Sequence, residues 1–297
     1  MVRKSSSEIR IVSLAPSVTS ILLELGAGRE LVGVSKWCKD VADVGRRPAV
    51  GDCWKLDVRE VMRLRPTLLI GSVPFAAEAV GKILEQPVAF MALNPRTLAD
   101  IESDILILGR VVKRVGAAER LARRMRRAFR EVALASRTAV RRTRVRPRVY
   151  CEAWPHPRIS SPPWVAELVR TAGGEMVVKA GARVSDEDVA RARPDIIILA
   201  WTAAGNRAKV ATALRVPAWR DVPAVRNGRV FVMRDEILNT PGPPLVSGVR
   251  ELRRLIEIAQ RGKDEGKTRI TAETPRRGRG KRQTQRKPTA KFNTEKS

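Results

Sequence analysis

Histidine is almost absent from this chain of 297 residues, since His156 is the only one. A zinc or iron site made of several histidines, or a catalytic pair that uses histidine as its base, is therefore hard to assemble. The three cysteines, Cys38, Cys53 and Cys151, show no CxxC or other metal-ligand spacing, so we interpret them as reduced thiols. These scarcities predict a chain with no resident metal, no cofactor and no enzymatic activity.

Long apolar runs are also lacking. No segment approaches the roughly 20 apolar residues that a membrane-spanning helix needs, so we expect no membrane insertion. The first residues, MVRKSSSEIRIVSLAPS, have no apolar segment of signal-peptide length and no small-residue cleavage site. As written, the sequence predicts a cytoplasmic protein, with a periplasmic location as the alternative if the start codon is mis-called.

Positive charge, by contrast, is abundant, and the formal net charge is +27. Residues 261–297 hold thirteen Lys or Arg against four Asp or Glu and have almost no apolar residues. That composition predicts a disordered basic tail, and nonspecific nucleic-acid binding through this tail stays open as a function. A second basic concentration, RLARRMRRAFREVALASRTAVRRTRVRPR, lies in a helical pattern, where arginines usually form a solvated face.

One phrase occurs twice. VMRLRPTLLI, residues 61–70, returns as VARARPDIII, residues 189–198, with the valine, both arginines, the proline and the apolar run in matching places. Upstream, RIVSLAP and ILLELGAG are echoed in the same order by RVYCEAWP and VAELVRTAGG. Three matches in one order predict two related lobes, each of which ends a helix at the proline and then enters a buried strand.

The alternation of short apolar strands with helices predicts an α/β fold. We expect two Rossmann-like parallel-sheet lobes joined by a long bridging helix, with a ligand crevice between the lobes. The boundaries predicted are an N-terminal extension (1–8), a first lobe (9–96), a bridging helix (97–146), a second lobe (147–260) and the basic tail (261–297), and a kink of the bridging helix near Gly116 stays open.

Four of the six tryptophans fall in loops that follow predicted strands: Trp37, Trp54, Trp154 and Trp201. Since ligands of parallel sheets bind beyond the carboxyl ends of the strands, these loops form the predicted binding surface. Large aromatic faces there suit a big, flat, partly apolar ligand. For any one of these indoles, the alternative is that it only covers the edge of a core.

The segments RIVSLAPSVTSILLELGAG, LVGVSKWC, LDVREVMRLRPTLLIG, VSDEDVARARPDIIIL and VRNGRVFVM resemble, in this order, the substrate-binding proteins of cobalamin and ferric-siderophore ABC importers. This family has a helical backbone and belongs to the class III periplasmic-binding-protein type. The similarity covers about residues 9–258 and is greatest to the cobalamin-binding branch. It implies two lobes on a rigid helical backbone, a small-molecule ligand, no catalysis and a transporter permease as partner.

The resemblance also implies roles for individual residues. It places Pro16 and Ser17 in the loop after the first strand, Trp37 and Trp54 in an aromatic wall, and Trp154 on the opposite lobe. Together with Trp201 and with polar contacts from Asp235 and Asn239 in the last loop, these form the predicted ligand-binding set. His156 is a weak candidate for an axial ligand to cobalt, against the simpler interpretation of a surface histidine between two prolines.

The family docks on its transporter through one carboxylate in each lobe, at the start of the helix before each Arg-Pro. In the second lobe this position is Glu187. In the first lobe the aligned position is Arg59, so Glu60 beside it is the docking candidate. We therefore predict ligand binding more firmly than import.

Several alternatives remain at this stage. A ferric-siderophore ligand would be favoured by a crevice lined with arginine rather than tryptophan. An enzyme on the same scaffold has candidate acids in Glu152, Asp235 and Glu236, but they lack a partner constellation. We expect the protein to be a monomer.

Overall fold

The computed structural model describes residues 9–51, 56–74, 76–144, 146–202 and 208–261. The first lobe contains a five-stranded parallel sheet in the order β3-β2-β1-β4-β5. Its strands are β1 (Ile11–Ser13), β2 (Leu31–Ser35), β3 (Ala49–Val50), β4 (Leu68–Ser72) and β5 (Ala89–Leu93). Its helices are α1 (Pro16–Glu24), α2 (Val58–Arg63) and α3 (Ala77–Leu84). The central strand β1 is buried along its whole length, as its apolar composition predicts.

The second lobe has a sheet in the order β10-β9-β6-β7, with β8 also paired to β6. Only the β6–β7 pair is antiparallel. The strands are β6 (Arg148–Pro155), β7 (Arg158–Ser160), β8 (Glu175–Met176), β9 (Ile196–Leu199) and β10 (Val230–Val232). The helices are α6 (Pro163–Thr171), α7 (Asp186–Arg191), α8 (Val210–Leu214), α9 (Pro223–Arg226), α10 (Asp235–Leu238) and α11 (Leu245–Arg261). The predicted α/β fold with two parallel-sheet lobes is confirmed.

The prediction of one helix over residues 97–146 is wrong. Two helices occupy this stretch, α4 (Leu98–Val111) and α5 (Val115–Thr143), and the chain turns between them through Lys113 at a φ of 56°. Helix α4 folds back along α5, as shown by the ion pair of 2.6 Å between Glu102 and Arg126. Gly109 permits this packing, because a Cβ there would lie 2.3 Å from the Cβ of Ala118.

The bridge between the lobes is therefore α5 alone, a helix of 29 residues. Near its middle, Arg124 pairs with Glu24 at the end of α1, with an N–O distance of 2.7 Å. Further along, Ser136 accepts a hydrogen bond of 2.8 Å from Arg253 of α11. One continuous apolar core contains residues of the first lobe, the buried face of α5 and residues of the second lobe. The lobes are thus packed on a common helix as well as connected by it.

Candidate ligand-binding site

The loops beyond the carboxyl ends of the two sheets meet each other. The guanidinium of Arg234, just after β10, donates a hydrogen bond of 3.3 Å to the main-chain carbonyl of Asp40, in the loop after β2. Gly242, also in the second lobe, lies so close to Ser20 and Ile21 of α1 that a Cβ there would be 3.4 Å from each. These contacts bring the predicted binding loops of both lobes to one junction.

The first lobe supplies Trp37 to this junction. The indole is partly buried, and the ammonium nitrogen of Lys36 lies 4.9 Å from its ring centroid, which is within cation–π range. Pro16 is the first residue of α1, and the adjacent Ser17 is only 4% exposed. Ser17 is therefore mainly a packing residue next to the predicted aromatic wall, whereas Trp37 contributes an aromatic ring to it. Trp54, predicted to belong to the same wall, lies outside the described residues.

Cys38 is the centre of a small buried polar cluster behind Trp37. Thr19 donates a hydrogen bond of 2.8 Å to the hydroxyl of Ser13, and the sulfur of Cys38 lies 3.0 Å from the same Thr19 oxygen and 3.2 Å from the hydroxyl of Ser35. Burial is the main cause that raises the pKa of the Cys38 thiol. Cys151 in β6 is fully buried, and burial raises its pKa to about 12. Both thiols are protonated at neutral pH, which agrees with their interpretation as reduced and structural.

The second lobe places Trp154 at the end of β6, where the residue is 39% exposed. Its indole N–H donates a hydrogen bond of 2.9 Å to the main-chain carbonyl of His156, so the ring is held against the turn between β6 and β7. His156 itself is exposed. An exposed ring that is oriented by a hydrogen bond is suited to stacking on a flat ligand.

Trp201 follows β9 and is held by a buried carboxylate. Its indole N–H donates to one oxygen of Glu152 at 2.8 Å, and Glu152 is 0% exposed. The other oxygen of Glu152 accepts a hydrogen bond of 2.9 Å from Tyr150 and forms an ion pair of 2.6 Å with Arg158. The alternative interpretation, in which an indole only covers the edge of a core, therefore applies in part to Trp201. Its N–H is hydrogen-bonded within the protein and is not available to a ligand.

The network continues to α7. Arg158 also pairs with Asp186, the first residue of α7, at 2.6 Å, and its guanidinium carbon lies 4.3 Å from the ring centroid of Trp219. Trp219 in turn donates a hydrogen bond of 3.0 Å to the main-chain carbonyl of Asp186. Sequence reasoning named Glu152 only as a candidate acid. A lone glutamate inside the otherwise apolar strand β6 was the available signal for a buried partner.

The last predicted loop is the short helix α10 and the residue after it. Asp235 is the first residue of α10, and Asn239 follows its end. The amide nitrogen of Asn239 donates a hydrogen bond of 2.6 Å to the carbonyl of Ala200, after β9. Its side-chain oxygen is buried and has no hydrogen-bond partner in the described part of the chain. A buried acceptor without a partner is costly, so this oxygen is available to a ligand donor or a water molecule.

The two docking candidates lie on equivalent helices. Glu60 is in α2 and Glu187 is in α7, both are exposed, and each helix ends just before an Arg-Pro pair. Asp57 caps α2, whereas Ser185 and Asp188 form a capping box at the start of α7. The structure therefore presents one carboxylate on the matching helix of each lobe.

Neither a metal cluster nor a membrane span occurs in the described ranges. Among these residues, no group of three or more His, Cys, Asp or Glu side chains is arranged to hold a metal ion. No helix there is both long and apolar enough to cross a bilayer. An open groove of about 620 Å³ lies between α1, α5 and α11 and is lined in part by Pro243, which follows Gly242.

Comparisons with known proteins agree with this architecture. Residues 11–237 match the family model described as periplasmic binding protein. An uncharacterized ABC transporter substrate-binding lipoprotein, YvrC, of Bacillus subtilis is 24% identical over 253 residues, which cover 82% of this chain and 78% of that protein. A vitamin B12-binding protein of Vibrio parahaemolyticus is 24% identical over 259 residues, which cover 85% of this chain and 90% of that protein.

Among solved structures, a periplasmic heme-binding protein from Pseudomonas aeruginosa superposes with a TM-score of 0.74 at 23% identity. The superposition covers 83% of this chain and 92% of that one. At this identity the likeness supports the fold and not the ligand. Because the family model spans most of the chain, including both lobes and α5, this protein belongs to the periplasmic binding protein family.

Proposed function

We propose that the chain binds a corrinoid, cobalamin or a close relative, in the crevice between its lobes and serves as the substrate-binding component of an ABC importer. The observation that carries this proposal is that Trp37 and Trp154 lie on opposite lobes, each at or just after the carboxyl end of a strand. Two aromatic faces from two sides suit a wide, flat, partly apolar ligand. The relatives named as a substrate-binding lipoprotein and as a vitamin B12-binding protein support it.

A corrinoid also fits the polar groups of the site. The buried oxygen of Asn239 lacks a partner and would accept a hydrogen bond from an amide at the ligand edge. No side chain has to ligate the metal, because a corrinoid carries its cobalt already coordinated. Two of the three candidate acids named for an enzyme are engaged elsewhere: Glu152 is in the buried network, and Glu236 pairs with Arg234 at 3.2 Å. This supports a non-catalytic role.

Haem is the second candidate, because positive charge and an exposed histidine occur in the predicted binding loops. Lys36 covers Trp37, Arg234 reaches Asp40, and His156 is exposed beside Trp154. Cations attract the carboxylates of haem, and imidazole binds its iron. The single tyrosine, Tyr150, is 0% exposed and bonded to Glu152, so it is not available as a ligand. The same cations would favour an anionic ferric siderophore, the alternative named from the sequence.

Calorimetric titration of the purified chain with cyanocobalamin, haemin and a ferric siderophore tests this proposal. We expect saturable binding of cyanocobalamin. The variant His156→Ala should leave cyanocobalamin affinity unchanged and weaken haemin if haemin binds through iron. Absence of saturable cyanocobalamin binding up to about 100 μM, together with binding of haemin, would assign the site to haem instead.

Location and partner follow from the same proposal. The relatives named as a lipoprotein and as periplasmic proteins favour the periplasmic alternative over the cytoplasmic prediction. Glu60 and Glu187 are proposed to contact the permease, one from each lobe, as the family resemblance implies. Nucleic-acid binding through residues 261–297 and a monomeric state stay predictions.

A further inference from the structure

The second half of α5 carries an unusually basic surface. No Asp or Glu occurs between Glu131 and Glu152, whereas arginines recur through this stretch. We name as the α5 basic stripe the four exposed arginines Arg130, Arg137, Arg141 and Arg144, with Leu134 between them. Leu134 is 57% exposed, which makes it one of the most exposed large apolar side chains among the described residues.

The stripe occupies one face of the helix. Positions 130, 134, 137 and 141 are separated by three or four residues, so they align along about 16 Å of the helix, and Arg144 follows the last residue of α5. The opposite face is buried, since Val132, Ser136 and Ala139 are 7%, 3% and 9% exposed. The arginines of the stripe therefore point away from the core, along one straight edge of the molecule.

The first half of α5 is different, because four of its five arginines form ion pairs, one of them between Arg127 and Glu131. Arg123 pairs with Glu119, Arg124 with Glu24 and Arg126 with Glu102, at N–O distances of 3.5, 2.7 and 2.6 Å. Within the described ranges, no arginine of the stripe forms an ion pair with a carboxylate. The second half of the helix thus keeps its positive charge unneutralised within the protein.

The stripe lies on the opposite edge of the molecule from the crevice. In a strand–helix unit the helix end lies near the start of the next strand, away from the carboxyl ends of the strands. Helix α5 contacts such ends: Arg124 reaches Glu24, the last residue of α1, and Ser136 packs against Gly173, just after α6. A partner on the stripe would leave the ligand crevice uncovered.

A further basic segment follows α11 in the sequence. Helix α11 runs beside α5 in the same direction, since Arg250 lines the groove with Ala128 and Arg253, further along, reaches Ser136. The end of α11 therefore lies toward the same end of α5 as the stripe, but on the buried face of α5. Residues 262–297, which are rich in Lys and Arg, follow α11 in the sequence.

A lipid surface fits this edge better than a nucleic acid. An exposed leucine among arginines favours an interface in which apolar contact and anionic headgroups are met together. Binding to single-stranded nucleic acid usually uses aromatic stacking, and the only aromatic residue of α5, Phe129, is partly buried on the other side of the stripe. Membership of the periplasmic binding protein family places such a chain beside a membrane more readily than beside nucleic acid.

We propose that the α5 basic stripe is a docking surface for a bilayer that contains anionic phospholipids. Bound in this way, the protein would lie with α5 on the headgroups and its crevice facing away from the bilayer, so it would leave this surface before docking on a permease through Glu60 and Glu187. The proposal is independent of which ligand the crevice binds.

Vesicle sedimentation with the full-length chain tests it, using phosphatidylcholine vesicles with and without about one-third phosphatidylglycerol. The triple variant Arg130→Gln, Arg137→Gln, Arg141→Gln should lose about 100-fold in partitioning to the anionic vesicles. The matched control Arg46→Gln, Arg183→Gln, Arg220→Gln removes the same charge from exposed sites outside α5 and should lose less than about fivefold. Circular dichroism and calorimetric ligand binding verify that each variant is folded.

Three outcomes would overturn the proposal. Equal losses in both triple variants would mean that net charge, rather than the stripe, binds the vesicles. Undiminished binding by the stripe variant would assign the interaction to residues 262–297. Failure to bind anionic vesicles, together with stripe-dependent binding of a 20-nucleotide single strand, would make nucleic acid the partner. Leu134→Gln sharpens a positive result, since it should weaken vesicle binding several-fold without changing the charge.

Discussion

The two lobes make the same backbone step with the same residues and then diverge in what they bury. In the first lobe Arg65, two residues after the end of α2, has a φ of 47°, and in the second lobe Arg193, two residues after the end of α7, has a φ of 41°. Arg10 donates hydrogen bonds to the carbonyls of Leu64 and Arg65, and Arg148 does the same to the carbonyl of Ala192. The repeated phrase thus encodes an α-helix that is followed by one residue in the left-handed conformation. An arginine next to or at the start of the neighbouring strand caps the free carbonyls of this helix end.

The divergence begins at the carboxyl end of the central strand. Leu14 of the first lobe aligns with Glu152 of the second, and both are buried. Leu14 packs among apolar side chains such as Val12 and Leu69, whereas the carboxylate of Glu152 contacts Arg158 and the indole of Trp201. The shared scaffold therefore tolerates either an apolar or a charged side chain at this buried position, provided that the charge is fully paired.

Replacing Glu152 should give the largest effect on this comparison. The variant Glu152→Gln leaves Arg158, whose side chain is 9% exposed, without its main counter-charge, and we expect a loss of about 3–5 kcal/mol in the free energy of unfolding. Urea denaturation at pH 7 measures it. The double variant Glu152→Leu, Arg158→Leu imitates the first lobe and should recover part of the loss. The control Glu251→Gln, which breaks a more exposed pair with Arg254, should cost less than about 1 kcal/mol.

Removing one indole from each lobe compares their shares of the binding site. Trp37→Ala and Trp154→Ala should each weaken cyanocobalamin binding by about 10–100-fold, because each ring is expected to contact one face of the ligand. Isothermal titration calorimetry measures the loss. Leu214→Ala changes a large apolar side chain that is 53% exposed and lies outside the predicted loops, so it should change nothing. An effect confined to one lobe would contradict a two-sided site.

Valine at the two left-handed positions tests whether the backbone step is equivalent. A β-branched residue is poorly compatible with positive φ, so Arg65→Val and Arg193→Val should each cost about 1–2 kcal/mol. The two losses should agree closely, because the neighbouring helix ends are alike. Thermal unfolding followed by circular dichroism measures them. Arg63→Val, within α2, serves as the control and should cost only a few tenths of a kcal/mol.

A smaller, pH-dependent effect is expected at Asp104 in α4, on the first-lobe side of the molecule. Burial, with a contribution from the charge of Asp100, raises the pKa of Asp104 from 3.8 to about 6. Because the folded protein binds this proton more tightly than the unfolded chain, Asp104 lowers stability as the pH rises from about 4 to 6. Asp104→Asn should therefore raise the melting temperature at pH 7.5 and leave it nearly unchanged at pH 4. An equal increase at both pH values would contradict this explanation.

Much of the architecture could be predicted from sequence, because the repeated phrase contains the residues that build it. The proline ends the helix and the apolar run enters the sheet in both lobes. The left-handed conformation at Arg65 and Arg193 could not be predicted, since a residue before proline usually favours an extended conformation. Its cause is the hydrogen bonding from Arg10 and Arg148, which are distant in sequence.

The position of the break before α5 could not be predicted either, because it also depends on a tertiary contact. Lys113 and Arg114 carry no glycine or proline signal, and the apolar spacing continues past them. The turn is set by the close packing of Gly109 on Ala118, a tertiary contact. At the site, the loops that carry Trp37 and Trp154 followed from the strand pattern, but the partners of Glu152 did not. They come from separate segments that meet only in the folded chain.

The core that continues through α5 determines how the molecule can move. A hinge needs a segment that can rotate without disturbing packed side chains, and here Leu121 and Met125 of α5 belong to the same apolar cluster as Ile11 in one lobe and Leu252 in the other. Opening the crevice by rotating the lobes would expose this cluster to water. We therefore expect the crevice to keep nearly constant width, and thermal unfolding to proceed as a single cooperative transition.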